Sequence, residues 1–189
     1  NNAFSAAFDH LKAEEGIALC GVHTTKQPNV STSSGFTNTG TSALNKTSIL
    51  AGIITMSRFR NMSGQRIDMP FDPVIVTPRA QYYTACEAVG INPLTGGKSP
   101  LDPDSANHKI NSAAGLRVEV LDRLDDNSTQ NWFLVDWAKM KQHLLWVDRI
   151  KAEYTTTIDF DTKITKHAQY ASWGYGWKQW QWILGNNVS

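Results

Sequence analysis

Cysteine is nearly absent. Cys20 and Cys86 are the only two in 189 residues. One disulfide between them is possible, but two reduced, buried thiols are the expectation. Neither has a CxxC partner. His10, His23, His108, His143 and His167 show no HxxxH or HxH spacing, so a zinc site would have to gather its ligands from distant segments. A dominant charge sign is missing too. Lys and Arg number 18 against 17 Asp and Glu, interspersed, for a formal net charge of +1. That balance gives no global electrostatic case for nucleic acid or a membrane surface. No apolar run approaches the ~20 residues of a membrane-spanning helix, and no signal peptide is expected. Nucleotide and catalytic signatures are also lacking. Thr95–Ser99 reads TGGKS, but a phosphate-wrapping loop needs glycine at position 92, which is Asn92. Pro93 and Pro100 remove amide donors nearby. Asp122, Asp125, Asp126 and Asn127 lack the spacing and terminal Glu of a calcium loop, and read as a polar turn. There is no G-x-S-x-G elbow. The sequons at Asn29, Asn45, Asn61, Asn127 and Asn187 read as chance products of an Asn-, Ser- and Thr-rich chain. No catalytic residue, metal or cofactor is expected, and the chain is read as a non-enzyme.

Tryptophan is abundant and late: all seven fall after residue 131. Trp177, Gln179, Gln181 and Ile183 alternate with Lys178, Trp180, Trp182 and Leu184. This predicts one strand over 177–184, covered on both faces, closed by the turn chemistry of Gly185, Asn186 and Asn187. A buried indole removes up to about 250 Å² from water, so such a cluster belongs in a core or a subunit interface. The alternative is a carbohydrate-binding β-rich module, with Trp177, Trp180 and Trp182 stacking sugar rings beside Gln179 and Gln181.

Along the chain, Phe4, Phe8 and Leu11 predict an amphipathic helix over Ala3–Glu15, ending at Gly16. Ile17–His23 reads as extended. Thr24–Thr41 is polar and has little to bury: a surface loop, or an arm that orders against another molecule. Ile49, Leu50, Ile53, Ile54 and Met56 predict a helix over Asn45–Asn61, capped by Asn45 or Thr47 and stopped near Gly64. Phe71–Thr77 reads as a buried strand, followed by Pro78 opening a helix that runs to Gly90. Ile91–Ala114 reads as a long loop. Leu116–Leu121 and Asn131–Asp136 predict a hairpin across a polar turn. Trp137–Lys141 reads as a helical turn and His143–Ile150 as a third strand. Tyr154–Asp161 and Thr162–Ser172 are further extended stretches. The class is α+β.

The segments GLRVEVLDRLDD, WFLVD, MKQHLLWVDRI and GWKQWQWILGNNVS resemble the Mu-like major head proteins of tailed bacteriophages, which have the Hong Kong 97-type capsid fold. The resemblance spans about Gly16 to Ser189 and is strongest from Leu116. It implies an extended loop, a long spine helix, and β-rich peripheral and axial lobes. Residues 1–16 would be a remnant of the N-terminal arm and 17–44 the extended loop. Residues 45–77 would hold the spine helix and peripheral domain, 78–150 the axial domain, and 151–189 the return to the peripheral domain. Family members are longer ahead of the position of Asn1, which implies a fragment or a matured product. The implied function is a structural subunit of an icosahedral head, assembled as hexamers and pentamers in the bacterial cytoplasm. Implied partners are copies of itself, packaged double-stranded DNA held non-specifically, and scaffolding, portal and decoration proteins, with no membrane. Contact between subunits is expected at His23, Lys26, Asn29, Arg58, Arg60, Trp177, Trp180 and Trp182. Some relatives of the fold cross-link a loop lysine to a neighbour's asparagine. Lys26 and Asn186 or Asn187 have those residue types, but such common residues single out no pair.

Overall fold

The run PVIVT forms a strand, β2 (Pro73–Thr77), in which every residue is buried. Such a strand needs hydrogen-bonded neighbours on both edges and cover on both faces. A computed structural model, describing residues 2–9, 11–12, 16–24, 35–67, 72–90 and 115–188, supplies both. On one edge β3 (Arg117–Val120) pairs parallel to β2; on the other β4 (Trp132–Asp136) pairs antiparallel. Next to β4 lies β7 (Ile183–Asn186), antiparallel, and then the short β1 (Thr39–Gly40), parallel to β7. The sheet order is β1-β7-β4-β2-β3. Strands from four of the expected segments, 17–44, 45–77, 78–150 and 151–189, therefore share one sheet. The chain is mixed α/β.

The expected hairpin between 116–121 and 131–136 does not form. β2 lies between β3 and β4, because its two edges are satisfied only if each takes one of them. The polar turn between them begins with a 3₁₀ turn over Asp122–Leu124 that buries Leu124.

Helices cover the sheet. α1 (Asn2–Ser5) is shorter than expected. Phe4 nonetheless sets its ring edge-on to Phe133 at 5.4 Å and to Trp182 at 6.4 Å, and Phe8 stacks on Phe133 at 5.3 Å. α2 (Lys46–Met56) is capped by Asn45, whose side chain accepts from the Ser48 amide at 2.8 Å. It ends at Met56, well before Gly64; at 11 residues it is only about 16 Å long. It buries Ile49, Gly52 and Met56 and leaves Leu50 and Ile54 exposed. Gly52 sits at the contact with the sheet, where an added Cβ would lie 3.2 Å from Leu184 and 3.3 Å from Leu134. α3 (Tyr82–Val89) follows Pro78 and a 3₁₀ turn and ends at left-handed Gly90, as the sequence predicts. α4 (Trp137–His143) starts at buried Asp136, which accepts from the Lys139 amide and lies 2.8 Å from Lys139 Nζ. Cys20 and Cys86 are free and buried.

The expected strand over 177–184 is two elements with a turn between. The preceding strand ends at Trp177, residues 178–182 turn, and β7 starts at Ile183. Large residues occur at both parities because the turn folds its indoles inward in different directions. Trp177 donates from Nε1 to Leu11 O at 3.0 Å, while Trp180 stacks on His23 at 4.5 Å. Asn38 ties the N-terminal segment to β7. Its amide donates to Leu19 O at 2.8 Å and Ile183 O at 3.2 Å, and its Oδ1 accepts from the Gly21 amide at 2.8 Å.

Candidate functional site

Apart from the main sheet stands a ribbon of two strands, β5 (Leu144–Ile158) and β6 (Thr165–Trp177), which pair only with each other. Their composition accounts for the length. Val147, Ile150, Tyr154, Thr155, Thr156, Thr157 and Ile158 answer Thr165, Tyr170, Trp173 and Tyr175, and β-branched and aromatic residues favour the pleated chain. With 15 residues in β5, the ribbon extends about 45 Å.

The register sets the two faces. Leu144–Trp177, Trp146–Tyr175 and Asp148–Trp173 are opposite pairs, and Leu145–Gly176 and Val147–Gly174 alternate with them on the other face. The register shifts twice, between Asp148 and Ile150 and between Ile150 and Glu153, with the extra residue on β5 each time. Such bulges tighten the ribbon's twist. Beyond them Tyr154, Thr156 and Ile158 continue the Trp146 face, opposite Gln169, His167 and Thr165. Tyr154 Oη lies 2.6 Å and Thr156 Oγ1 3.0 Å from His167 Nδ1, with Tyr154 stacked on the imidazole. All three residues face solvent.

At the tip Asp159 organises the turn. Its carboxylate accepts from the Asp161 amide at 3.1 Å and from Lys166 Nζ at 2.7 Å. The Lys166 bond holds this carboxyl below the usual carboxylate range. Lys163 has positive φ (55°) and sets its ammonium 4.3 Å from the Phe160 ring centroid.

Both faces are wet. Of thirteen exposed large apolar residues among the described ones, nine lie on the ribbon and its turn: Trp146, Val147, Tyr154, Ile158, Phe160, Ile164, Tyr170, Trp173 and Tyr175. Trp146 is 62% exposed, Trp173 59% and Phe160 82%. A fully exposed aromatic offers 150–250 Å², so these nine leave on the order of 1,000 Å² of apolar surface in water. Trp146, Tyr154, Ile158, Trp173 and Tyr175 share one face, Val147 and Tyr170 lie on the other, and Phe160 and Ile164 belong to the turn. At the root Trp146 and Trp173 stack at 6.0 Å, nearly parallel at 17°, and Trp146 Nε1 donates to Asp148 Oδ1 at 2.6 Å. They line a cleft of about 590 Å³ with Ala3, Arg123, Leu144, Leu145 and Tyr175.

The residues singled out from sequence lie away from the ribbon's exposed length, Trp177 at its inner end. His23, Trp177 and Trp180 meet in one buried cluster, with Phe59 edge-on to Trp180 at 5.1 Å. Trp180 is 2% exposed and Trp182 and His23 are fully buried. The reading of His23, Trp177, Trp180 and Trp182 as contact residues is corrected accordingly: their side chains are covered by their own chain. For the same reason sugars cannot stack on these three indoles. Arg58 is exposed beyond α2, and Arg60 donates to Gly64 O at 2.7 Å. Lys26 and Asn29 lie outside the described residues, as does the whole stretch 91–114. Asn186 is buried.

The ribbon was visible in the sequence only as separate extended stretches. The signal that joins them is the tract from Leu144 to Trp177, β-prone on both sides of the DFDTK turn. Among the described residues no group of three or more His, Cys, Asp or Glu side chains is placed to hold a metal ion, and no helix is long and apolar enough to cross a membrane. No family model, curated protein or solved structure matches this chain.

Proposed function

We propose that the chain is a structural subunit that self-assembles, and, following the sequence resemblance, that it builds the icosahedral head of a tailed double-stranded DNA bacteriophage. In this reading the fold is the Hong Kong 97 type. The shell is built of hexamers and pentamers, its interior meets DNA without sequence preference, and the subunit has no catalytic role. The virion is its location, and scaffolding, portal and decoration proteins are its further partners.

The observation that carries the reading is the ribbon. A two-stranded hairpin with three wet aromatics at its root and apolar residues to its tip is marginal alone in water. Contact with other molecules stabilises such an element, and a shell supplies many. Each contact can stay weak, so that misplaced subunits dissociate, while their sum exceeds the ~1,600 Å² of a standard interface. The near-zero net charge suits close packing of identical chains.

Negative-stain electron microscopy of the purified, concentrated protein tests it. Closed symmetric particles or rings of fixed subunit number are expected. A monodisperse monomer at every concentration and salt condition would rule the proposal out.

A further inference from the structure

The two ends of the ribbon are a knob and a hollow. At the outer end Phe160 is 82% exposed, more than any other large apolar residue described, and Ile158 and Ile164 stand on either side of the same turn. The turn holds the ring out by design of its hydrogen bonds. The Asp159 amide donates to Ile164 O at 3.0 Å and the Lys163 amide to Asp159 O at 2.9 Å, besides the bonds of the Asp159 carboxylate. An aromatic side chain presented on an ordered tip has the form of an interface anchor, which gains by entering a pocket. At the inner end the cleft of about 590 Å³ exposes Trp146, Trp173 and Tyr175, a volume in the range of pockets that enclose a ligand-sized group. The two ends cannot meet within one chain. The strands stay paired from Leu144–Trp177 to Ile158–Thr165, which holds tip and root about 45 Å apart.

We infer that Phe160 at the ribbon tip of one copy seats in the root cleft of a second copy, in a head-to-tail contact. The inference rests on the self-assembly reading and names the two surfaces. Charge selects this occupant along with shape. Asp161 and Lys163 flank Phe160, and the Lys163 ammonium lies over its ring. Arg123 lines the cleft, and Asp148 stands at its edge, accepting from Trp146 Nε1. Seating the ring brings Asp161 toward Arg123 and Lys163 toward Asp148. Asp159 and Asp122, next to these groups in the chain, are already paired with Lys166 and Arg79. Tip and cleft are different surfaces, so the contact passes on from copy to copy and closes into a ring where the rotation per step allows. Each contact is small and therefore at the weak end of protein interfaces.

Sedimentation velocity of the full chain tests it. Phe160→Ser removes the ring at the tip, and Trp173→Arg blocks the cleft with a charge. Each should weaken self-association roughly tenfold or more. Mixed in equal amounts, the two variants should form a one-to-one dimer and go no further, because one intact tip then meets one intact cleft. That dimer also certifies that both variants fold. Asp161→Arg and Arg123→Glu should each weaken association, and the chain carrying both should recover it. Association unchanged in Phe160→Ser overturns the tip as the contact and leaves self-assembly standing. Two variants that fail alone and stay apart when mixed, with the amides of β2 and β4 as protected as in wild type, overturn the pairing of tip with cleft. A wild-type chain that stops at a dimer overturns the head-to-tail order. One that does not associate at all overturns both the contact and the self-assembly reading. Binding of lipid vesicles lost in Phe160→Ser, or of a glycan lost in Trp173→Arg, while both variants associate as wild type does, overturns the choice of occupant.

Discussion

Asn38 is fully buried and binds three backbone groups: Leu19 O, which also lies 3.3 Å from His23 Nε2, Ile183 O and the Gly21 amide. Replacing it with alanine removes all three bonds at once. A buried polar group left unpaired costs about 1–3 kcal/mol, and partial relaxation keeps the sum below the simple total, so about 3 kcal/mol is expected for Asn38→Ala. With a urea slope of about 2 kcal/mol/M, the unfolding midpoint should fall by ~1.5 M. Asn38→Asp is the sharper test. Aspartate nearly matches asparagine in shape and keeps the acceptor for the Gly21 amide. It also replaces the one amide nitrogen that makes both donations with a carboxylate oxygen facing two carbonyls, and buries a charge. It should therefore destabilise more than alanine, where an argument from volume alone predicts almost no change. Urea unfolding followed by tryptophan fluorescence reads both. An alanine loss under ~1 kcal/mol, or an aspartate variant as stable as wild type, would refute the assignment of Asn38 as the tie between the N-terminal segment and β7.

Gly185→Ala should cost about 1–3 kcal/mol, because the new Cβ would lie 2.7 Å from Cys20 Sγ and 2.9 Å from the Phe8 ring; thermal unfolding measures it. At the ribbon's root, burial and then the nearby Lys178 and Lys139 hold the His143 imidazole below its ordinary 6.5. The unfolded chain then binds the extra proton more readily, so stability should fall as pH drops below about 6.5 and hold steady above it. His143→Gln should flatten that part of a melting-temperature profile between pH 5 and 7. Replacing Lys151–Ala171 with a short turn should leave the body's urea midpoint within ~0.5 M of wild type, since nearly all of that stretch is exposed, while abolishing assembly.

Much of the main sheet could be read from sequence because its strands are short, dense and framed by punctuation. PVIVT precedes Pro78, and WFLVD precedes a helix capped by Asp136. The Asn45 cap and the Gly90 stop were equally plain, since each follows from local chemistry. Pairing was less legible. Nothing local tells β3 to join β2 instead of β4; the need of β2 for two neighbours decides it. The 177–184 segment misled because period-two alternation cannot separate a strand with two covered faces from a turn that tucks indoles in several directions. His23 and Trp180 found each other across the whole chain, a contact that no spacing reports. The ribbon is not legible as a unit: the sequence breaks β5 between His143–Ile150 and Tyr154–Asp161 and ends the next stretch at Ser172, while the pairing and the exposure are tertiary facts.

Hydrogen–deuterium exchange along Leu144–Trp177, followed as protein concentration is raised, tests the central claim most directly. The ribbon amides should exchange fast in the dilute chain and become protected as copies associate, while the amides of β2 and β4 stay equally protected throughout. Ribbon protection that is high at the lowest concentration and never changes would contradict it.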